Sequence, residues 1–367
     1  MGPPAGSWER LMQPIARTAV TAVSAISLSC SVMVTGARAD DSPKEIFEKV
    51  APATVQVLAG DMAGTGVIYD ADQGLVVTND HVVAGQTSIQ VRIKDGTPVP
   101  VRVLASDPCE DLAVIKLATP QDDLQEVQFG DSGDLGQGDE VTAIGYPAGA
   151  GDITHEKAVL TTGVVQSPDV PQEGQVSAPN LPSAVQHSAT LNQGNSGGPL
   201  LNDKAELVGI NTYSLEGAEG QYYSISSDHA KPLLKGLADG KSKNNPGWQN
   251  LLALSDPNFV SYFVEEDQAT QKNLQKRLTE KGIDGLYVSS VTSNSPASVA
   301  TLQAGDVITH IKDTPVTSVP QVCDVLRSSA PGEKLKVSGV FTAAGKDVNG
   351  VPVNVGDPWE VNMALKN

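Results

Sequence analysis

Between residues 52 and 214 the chain is divided into short β-type runs by turn residues. "ATVQVLAG", "GTGVIYD", "GLVVTND", "SIQVRI", "VPVRVLAS", "LAVIKLA", "EVTAIGYP", "AVLTTGVVQS" and "ELVGINTYS" are each bounded by Gly, Pro, Asp or Asn. Runs of this length at this spacing predict the strands of an all-β barrel or sandwich. Aromatic residues make up only 4%, while Val, Gly and Thr are plentiful, which also favours strands. Helices frame the runs. "SPKEIFEKV" (42–50) opens with Ser, Pro at the first helical position and Glu three after the Ser, a capping box. "DHAKPLLKGLADGK" (228–241) reads as a short closing helix.

With 367 residues, 40% of them hydrophobic and 19% charged, the chain can fold as more than one globular domain. "SKNNPG" (242–247) is polar and turn-rich, and the pattern changes beyond it. "DQATQKNLQKRLTEK" (267–281) is helical, with Gly282 placed to end it. "GLYVSSV", "AGDVITHI" and "EKLKVSGVF" read as strands, and "VPQVCDVLRSS" (319–329) as another helix. The division predicted is residues 40–241, a linker at 242–249, and a smaller domain at 250–367. Ahead of these, Arg10 and Arg17 precede the uncharged stretch "TAVTAVSAISLSCSVMV", and "ARA" follows at 37–39. Residues 1–39 read as a signal peptide for periplasmic or secreted location, with a retained membrane anchor as the alternative.

The net charge of −18 makes nucleic acid and acidic membrane surfaces poor partners. Three cysteines form no disulfide framework. Cys30 lies in the leader, and Cys109 and Cys323 fall in different domains, so free thiols are expected. Cys109 reads as a small buried filler. There is no H-E-x-x-H and no Cys/His cluster with zinc spacing, so neither a metal nor a cofactor is expected.

"LNQGNSGGPLL" (191–201) sets a serine among glycines, a backbone with almost no side-chain bulk. A serine hydroxyl needs a base in reach, a group orienting that base, and donors for the developing oxyanion. Gly194, Asn195 and Ser196 form a candidate oxyanion segment, with the Gly194 and Ser196 amides as donors. Of five histidines, His81 follows the strand "GLVVT" in "TNDHVV". Asp111 stands immediately before the apolar run "LAVIKL". The chain order of the candidates is His81, Asp111, Ser196.

Together, "TNDHVV", "DLAVIKL" and "GNSGGPLL" resemble the chymotrypsin-fold serine proteases of the HtrA/Deg branch. "GTGVIYD", "AIGYP", "LTTGVV" and "ELVGINT" resemble the same branch in the same order. The resemblance implies a chymotrypsin-like double β-barrel with Ser196 as nucleophile, His81 as general base and then acid, and Asp111 fixing the His81 tautomer. It implies an ATP-independent endopeptidase of unfolded polypeptides in envelope quality control, homo-trimeric by analogy. A latent protease acting mainly as a peptide-binding chaperone or stress sensor is the alternative. Asn195 stands where digestive relatives carry Asp, which excludes activation by an ion pair to a newly cut N-terminus. Asn211, Thr212 and Tyr213 lie on the strand expected to pair with substrate backbone. Two departures bear on specificity: Ser188 where the family often has a carboxylate, and "YYSIS" (222–226) where it often has "GFAIP". Residues 250–345 resemble a PDZ domain, chiefly through "SPASVATLQAGDVITHIKDTPVTSVPQVCDVL". Peptide tails are its expected partners, with Leu251, Leu252, Ala253 and Leu254 as the groove segment. A docking module that takes no free C-terminus is the alternative.

Overall fold

The computed structural model describes residues 41–365 apart from 61, 148–156, 215–219, 243 and 348. The signal-peptide reading of residues 1–39 lies outside the described residues. Helix α1 (Pro43–Val50) starts as its sequence predicts: the Ser42 side chain accepts the Glu45 amide, and the Glu45 carboxylate accepts the Ser42 amide at 2.9 Å.

Six strands close a first antiparallel barrel in the order β1-β2-β3-β6-β5-β4. They are β1 (Thr54–Ala59), β2 (Met62–Asp70), β3 (Leu75–Thr78), β4 (Ile89–Ile93), β5 (Val99–Asp107) and β6 (Leu112–Leu117). One-turn helix α2 (Asp80–Val83) follows β3. Strand β6 shows why its run is almost wholly apolar. Leu112 and Val114 face the core shared with the second barrel, while Ala113, Ile115 and Leu117 face the interior of the first. Alternate residues point to opposite faces, and both faces are dry.

A second closed barrel has the order β10-β11-β12-β9-β8-β7. Its strands are β7 (Glu140–Gly145), β8 (Val159–Gln172), β9 (Leu181–His187), β10 (Pro199–Leu201), β11 (Leu207–Ser214) and β12 (Tyr222–Ser226). Helix α3 (Ser227–Ala238) returns across both barrels, and Ala230, Leu234 and Leu237 join Ile46 and Val50 in the shared core. Strands β9, β10 and β12 are additions to the sequence reading. "LPSAVQH", "PLL" and "YYSIS" carry Pro, Ser or only three residues, and their strand form comes from neighbours that supply the ladder.

The C-terminal part is a sheet in the order β13-β14-β15-β17-β20, with β16 beside β15. These are β13 (Trp248–Ala253), β14 (Leu286–Val291), β15 (Val307–Ile311), β16 (Thr314–Pro315), β17 (Lys334–Val340) and β20 (Pro358–Ala364). Helices α4 (Glu265–Glu280), α5 (Pro296–Val299) and α6 (Val319–Ser328) complete it, and β18 (Gly345–Lys346) pairs with β19 (Pro352–Val353). Strand β13 is an edge strand, and α6 packs beside it. Among the described residues, no helix is long and apolar enough to cross a membrane.

The cysteine expectation is overturned. Cys109 and Cys323 are disulfide-bonded across 214 residues of sequence, and both are almost fully buried. Sequence spacing carries no sign of this pairing, because the two thiols lie on separate elements far apart in the chain that tertiary packing brings together. The linker is also pinned. Asn244 Nδ2 donates to the Asp107 carboxylate at 2.9 Å, Asn245 Nδ2 to Ser106 Oγ at 3.0 Å, and the Ser106 amide to Ser242 Oγ at 3.2 Å.

Candidate active site

His81 sits on α2, directly after buried strand β3, so its backbone is fixed by the barrel. Asp111 precedes β6 in a left-handed conformation, φ 50°, which Asp tolerates better than most residues. Asn79 Nδ2 holds the Asp111 carbonyl at 2.9 Å. The carboxylate lies 2.9 and 3.0 Å from His81 Nδ1 and accepts the His81 amide at 3.1 Å. It also accepts Thr212 Oγ1 at 2.7 Å. The Asp111 side chain is 5% exposed and that of His81 is 47% exposed, so a shielded anion backs a ring open to solvent.

Ser196 completes the group through the same threonine: its Oγ donates to the Thr212 carbonyl at 2.8 Å. Among the described residues no hydrogen bond joins Ser196 Oγ to His81. The glycines around Ser196 serve close backbone approach. Gly197 has φ 85°, and a Cβ there would lie 2.1 Å from the Thr65 carbonyl oxygen; one on Gly198 would lie 2.4 Å from that of Ile144. Thr65 fastens the turn: its amide donates to the Ser196 carbonyl at 2.8 Å and its Oγ1 to the Gly194 carbonyl at 2.6 Å. The Gly194 and Ser196 amides make no hydrogen bond to any described residue. Asn195 is buried in the turn, its amide donating to the Asn192 carbonyl.

The candidate substrate strand needs correction at one position. The Asn211 amide donates to Gly198 and its carbonyl accepts from Gly197, so it has no backbone group left for an incoming strand. Its side chain is buried, with Nδ2 donating to the Pro199 carbonyl and Oδ1 accepting Ser224 Oγ. Thr212 turns its hydroxyl to Asp111 and its carbonyl to Ser196, and Tyr213 continues β11. Neither Thr65 nor Thr212 was legible as a positioning residue. A threonine in a strand reads as ordinary β-former, and only the fold shows what its hydroxyl touches. His187, fully buried on β9, has its pKa pushed down to about 4 by burial and bonds Ser224 Oγ, far from a base's environment.

Charge around His81 sets its titration. Burial favours the neutral ring, but the charge and hydrogen bond of Asp111 outweigh it and raise the pKa. A general base must be neutral, so kcat/KM should fall as pH drops through that raised value. The acid-limb midpoint is expected above about 6.5, the ordinary imidazole value, and should move down in Asp111→Asn. A pH–rate profile with a peptide substrate checks this; a wild-type midpoint at or below 6.5 contradicts it.

Asp80 itself is buried, its Oδ1 without a partner among the described residues, and burial pushes its pKa up to about 7. The folded state therefore holds a proton that the unfolded state releases near pH 4. Stability from this group is present at low pH and lost as pH rises from about 4 to 7, by up to roughly 4 kcal/mol. Asp80→Asn is expected to raise Tm at pH 8 and flatten its decline between pH 4 and 7, as followed by calorimetry. An unchanged pH dependence contradicts this.

Two domains are matched by known families. Residues 64–210 match the trypsin-like peptidase domain, and residues 263–339 match the PDZ domain. The periplasmic serine endoprotease DegP of Escherichia coli K12 is 33% identical over 290 residues, covering 78% of this chain and 55% of DegP. The chain carries a trypsin-like peptidase domain followed by one PDZ domain, and the curated relatives it resembles are serine proteases named DegP and HtrA. The serine protease Do-like HtrA of Bacillus subtilis is 32% identical over 277 residues, covering 73% of this chain and 58% of that protein. The chain thus spans little more than half the length of these two curated relatives. The solved serine endoprotease from Yersinia pestis is 25% identical, with a TM-score of 0.47, covering 89% of this chain and 97% of that one.

Proposed function

We propose that this chain is a serine endopeptidase of the HtrA/DegP type that hydrolyses unfolded or flexible polypeptides through an acyl-enzyme. The observation that carries this reading is the hydrogen-bonded group of His81, Asp111, Thr212 and Ser196, beside the Gly194 and Ser196 amides, which bond no described residue. In the reaction, Ser196 Oγ leaves the Thr212 carbonyl and gives its proton to His81 Nε2 as it attacks the scissile carbonyl. Asp111 holds Nδ1–H and stabilises the imidazolium. The Gly194 and Ser196 amides receive the oxyanion, and loss of such a donor costs ~10²–10³ in rate. His81 then protonates the leaving amine, and water repeats the sequence on the ester.

Small-to-medium aliphatic residues are the expected preference at the scissile bond. Tyr222, in place of the family's glycine, packs against the apolar cluster that contains Ala189 and Leu191. A periplasmic site of action follows the name of the relative DegP, while export, a quality-control role and assembly as a trimer follow by analogy with the family the chain resembles. Cleavage-site mapping on denatured casein tests substrate class and pocket together.

A second reading, a latent protease that mainly binds peptides, has one observation in its favour: Ser196 Oγ engages Thr212 rather than His81. A serine-directed fluorophosphonate separates the two. Wild type should be labelled and Ser196→Ala should not. Wild type that stays unlabelled even with unfolded casein present favours the binding reading.

A further inference from the structure

The groove between edge strand β13 and helix α6 is where a PDZ fold would add a peptide as an extra strand. Here it meets the chain's own protease domain at two places. Cys109, from the turn leading to Asp111, enters the apolar cluster of Leu251, Val319, Cys323 and Leu326, and is covalently bonded to Cys323 on α6. Arg327, one turn along α6, donates to the Cys109 carbonyl at 2.6 Å and pairs with Glu110 at 3.1 Å. His229 of α3 holds the other oxygen of Glu110 at 2.7 Å. The second contact is the turn between β8 and β9. Ser177 Oγ accepts the amide of Ala253 at 3.0 Å, and the Val176 carbonyl accepts the amide of Val319 at 2.8 Å. That turn is tied to itself, Gly174 to Asn180 and Ala178 to Gln175, so its tip is held ready.

We propose that the PDZ groove is self-occupied, and that the Cys109–Cys323 bond is the latch that keeps it so. The occupant it excludes is an extended peptide tail with a free carboxylate and an apolar last side chain, matching the apolar walls. A covalent tie holds the protease turn at high effective concentration, so a peptide binds only in the small fraction of molecules whose turn has left. The inference rests on reading this groove as a peptide site. It does not depend on Ser196 chemistry, which fluorophosphonate labelling reports separately.

The test uses a fluorescein-labelled octapeptide ending Ala-Val-Val with a free carboxylate, and its C-terminal amide as control. Fluorescence anisotropy is read on the oxidised wild type, on Cys109→Ala/Cys323→Ala, and on wild type treated with dithiothreitol. In the last arm the dithiol gives two electrons and two protons, closing to its own cyclic disulfide while Cys109 and Cys323 become thiols. Both opened forms are expected to bind the carboxylate peptide at least tenfold more tightly than the oxidised wild type. Should the double variant fail to fold, the reduced wild type decides. Equal affinity within twofold between oxidised and opened forms overturns the latch. So does a complete lack of preference for the carboxylate over the amide in every form.

Discussion

Asp111→Asn is expected to lower kcat on a peptide substrate by about 10⁴-fold while leaving the fold in place. The neutral amide can still sit against His81 Nδ1 and Thr212 Oγ1. It favours the wrong tautomer of His81, however, and gives no charge to stabilise the imidazolium. Ser196→Ala should cost more, about 10⁶-fold, because the nucleophile itself is gone. The double variant should be no slower than Ser196→Ala alone, since the two residues act in one proton path. Steady-state rates on a chromogenic peptide measure all three. An Asp111→Asn loss under tenfold, or a double variant slower by the product of the two single losses, would sink this assignment.

The second large effect concerns stability. A disulfide closing 214 residues of chain removes much of the freedom of the unfolded state. In the chain-entropy account, a loop of that length contributes about 5 kcal/mol. Cys109→Ala/Cys323→Ala is therefore expected to lower Tm by about 7 °C, and dithiothreitol should lower the wild-type Tm in parallel. Calorimetry under oxidising and reducing conditions gives both numbers. A Tm within 2 °C of the oxidised wild type in both cases would show that the bond does not constrain the unfolded chain. The covalent tie lies two residues from Asp111, so PDZ docking and the posture of the candidate orienting carboxylate share one turn.

Legibility differed between elements for physical reasons. Strands such as "LAVIKL" and "TVQVLA" could be read from the residues because each buries an apolar face large enough to mark it in sequence. Strands β9, β10 and β12 could not, because "PLL" and "YYSIS" take their strand form from partners distant in the chain. Helix α1 was legible to its first residue, since a capping box is a local hydrogen-bond pattern among neighbours. The Arg327–Glu110–His229 cluster was not, since it draws on three separate elements.

The same division runs through the candidate site. The sequence alone fixed the residue types and their order: an imidazole after a buried strand, a carboxylate before another, a serine among glycines that permit close backbone approach. Tertiary structure alone decided that Thr212 joins Asp111 to Ser196, that Thr65 fastens the serine turn, that Asn211 is spent inside the barrel, and that Cys109 reaches Cys323. Motifs record what a stretch of chain can do by itself. The bonds Thr212–Asp111, Thr65–Ser196 and Cys109–Cys323 join residues more than a hundred positions apart, and they exist only once the hydrophobic cores have brought those positions together.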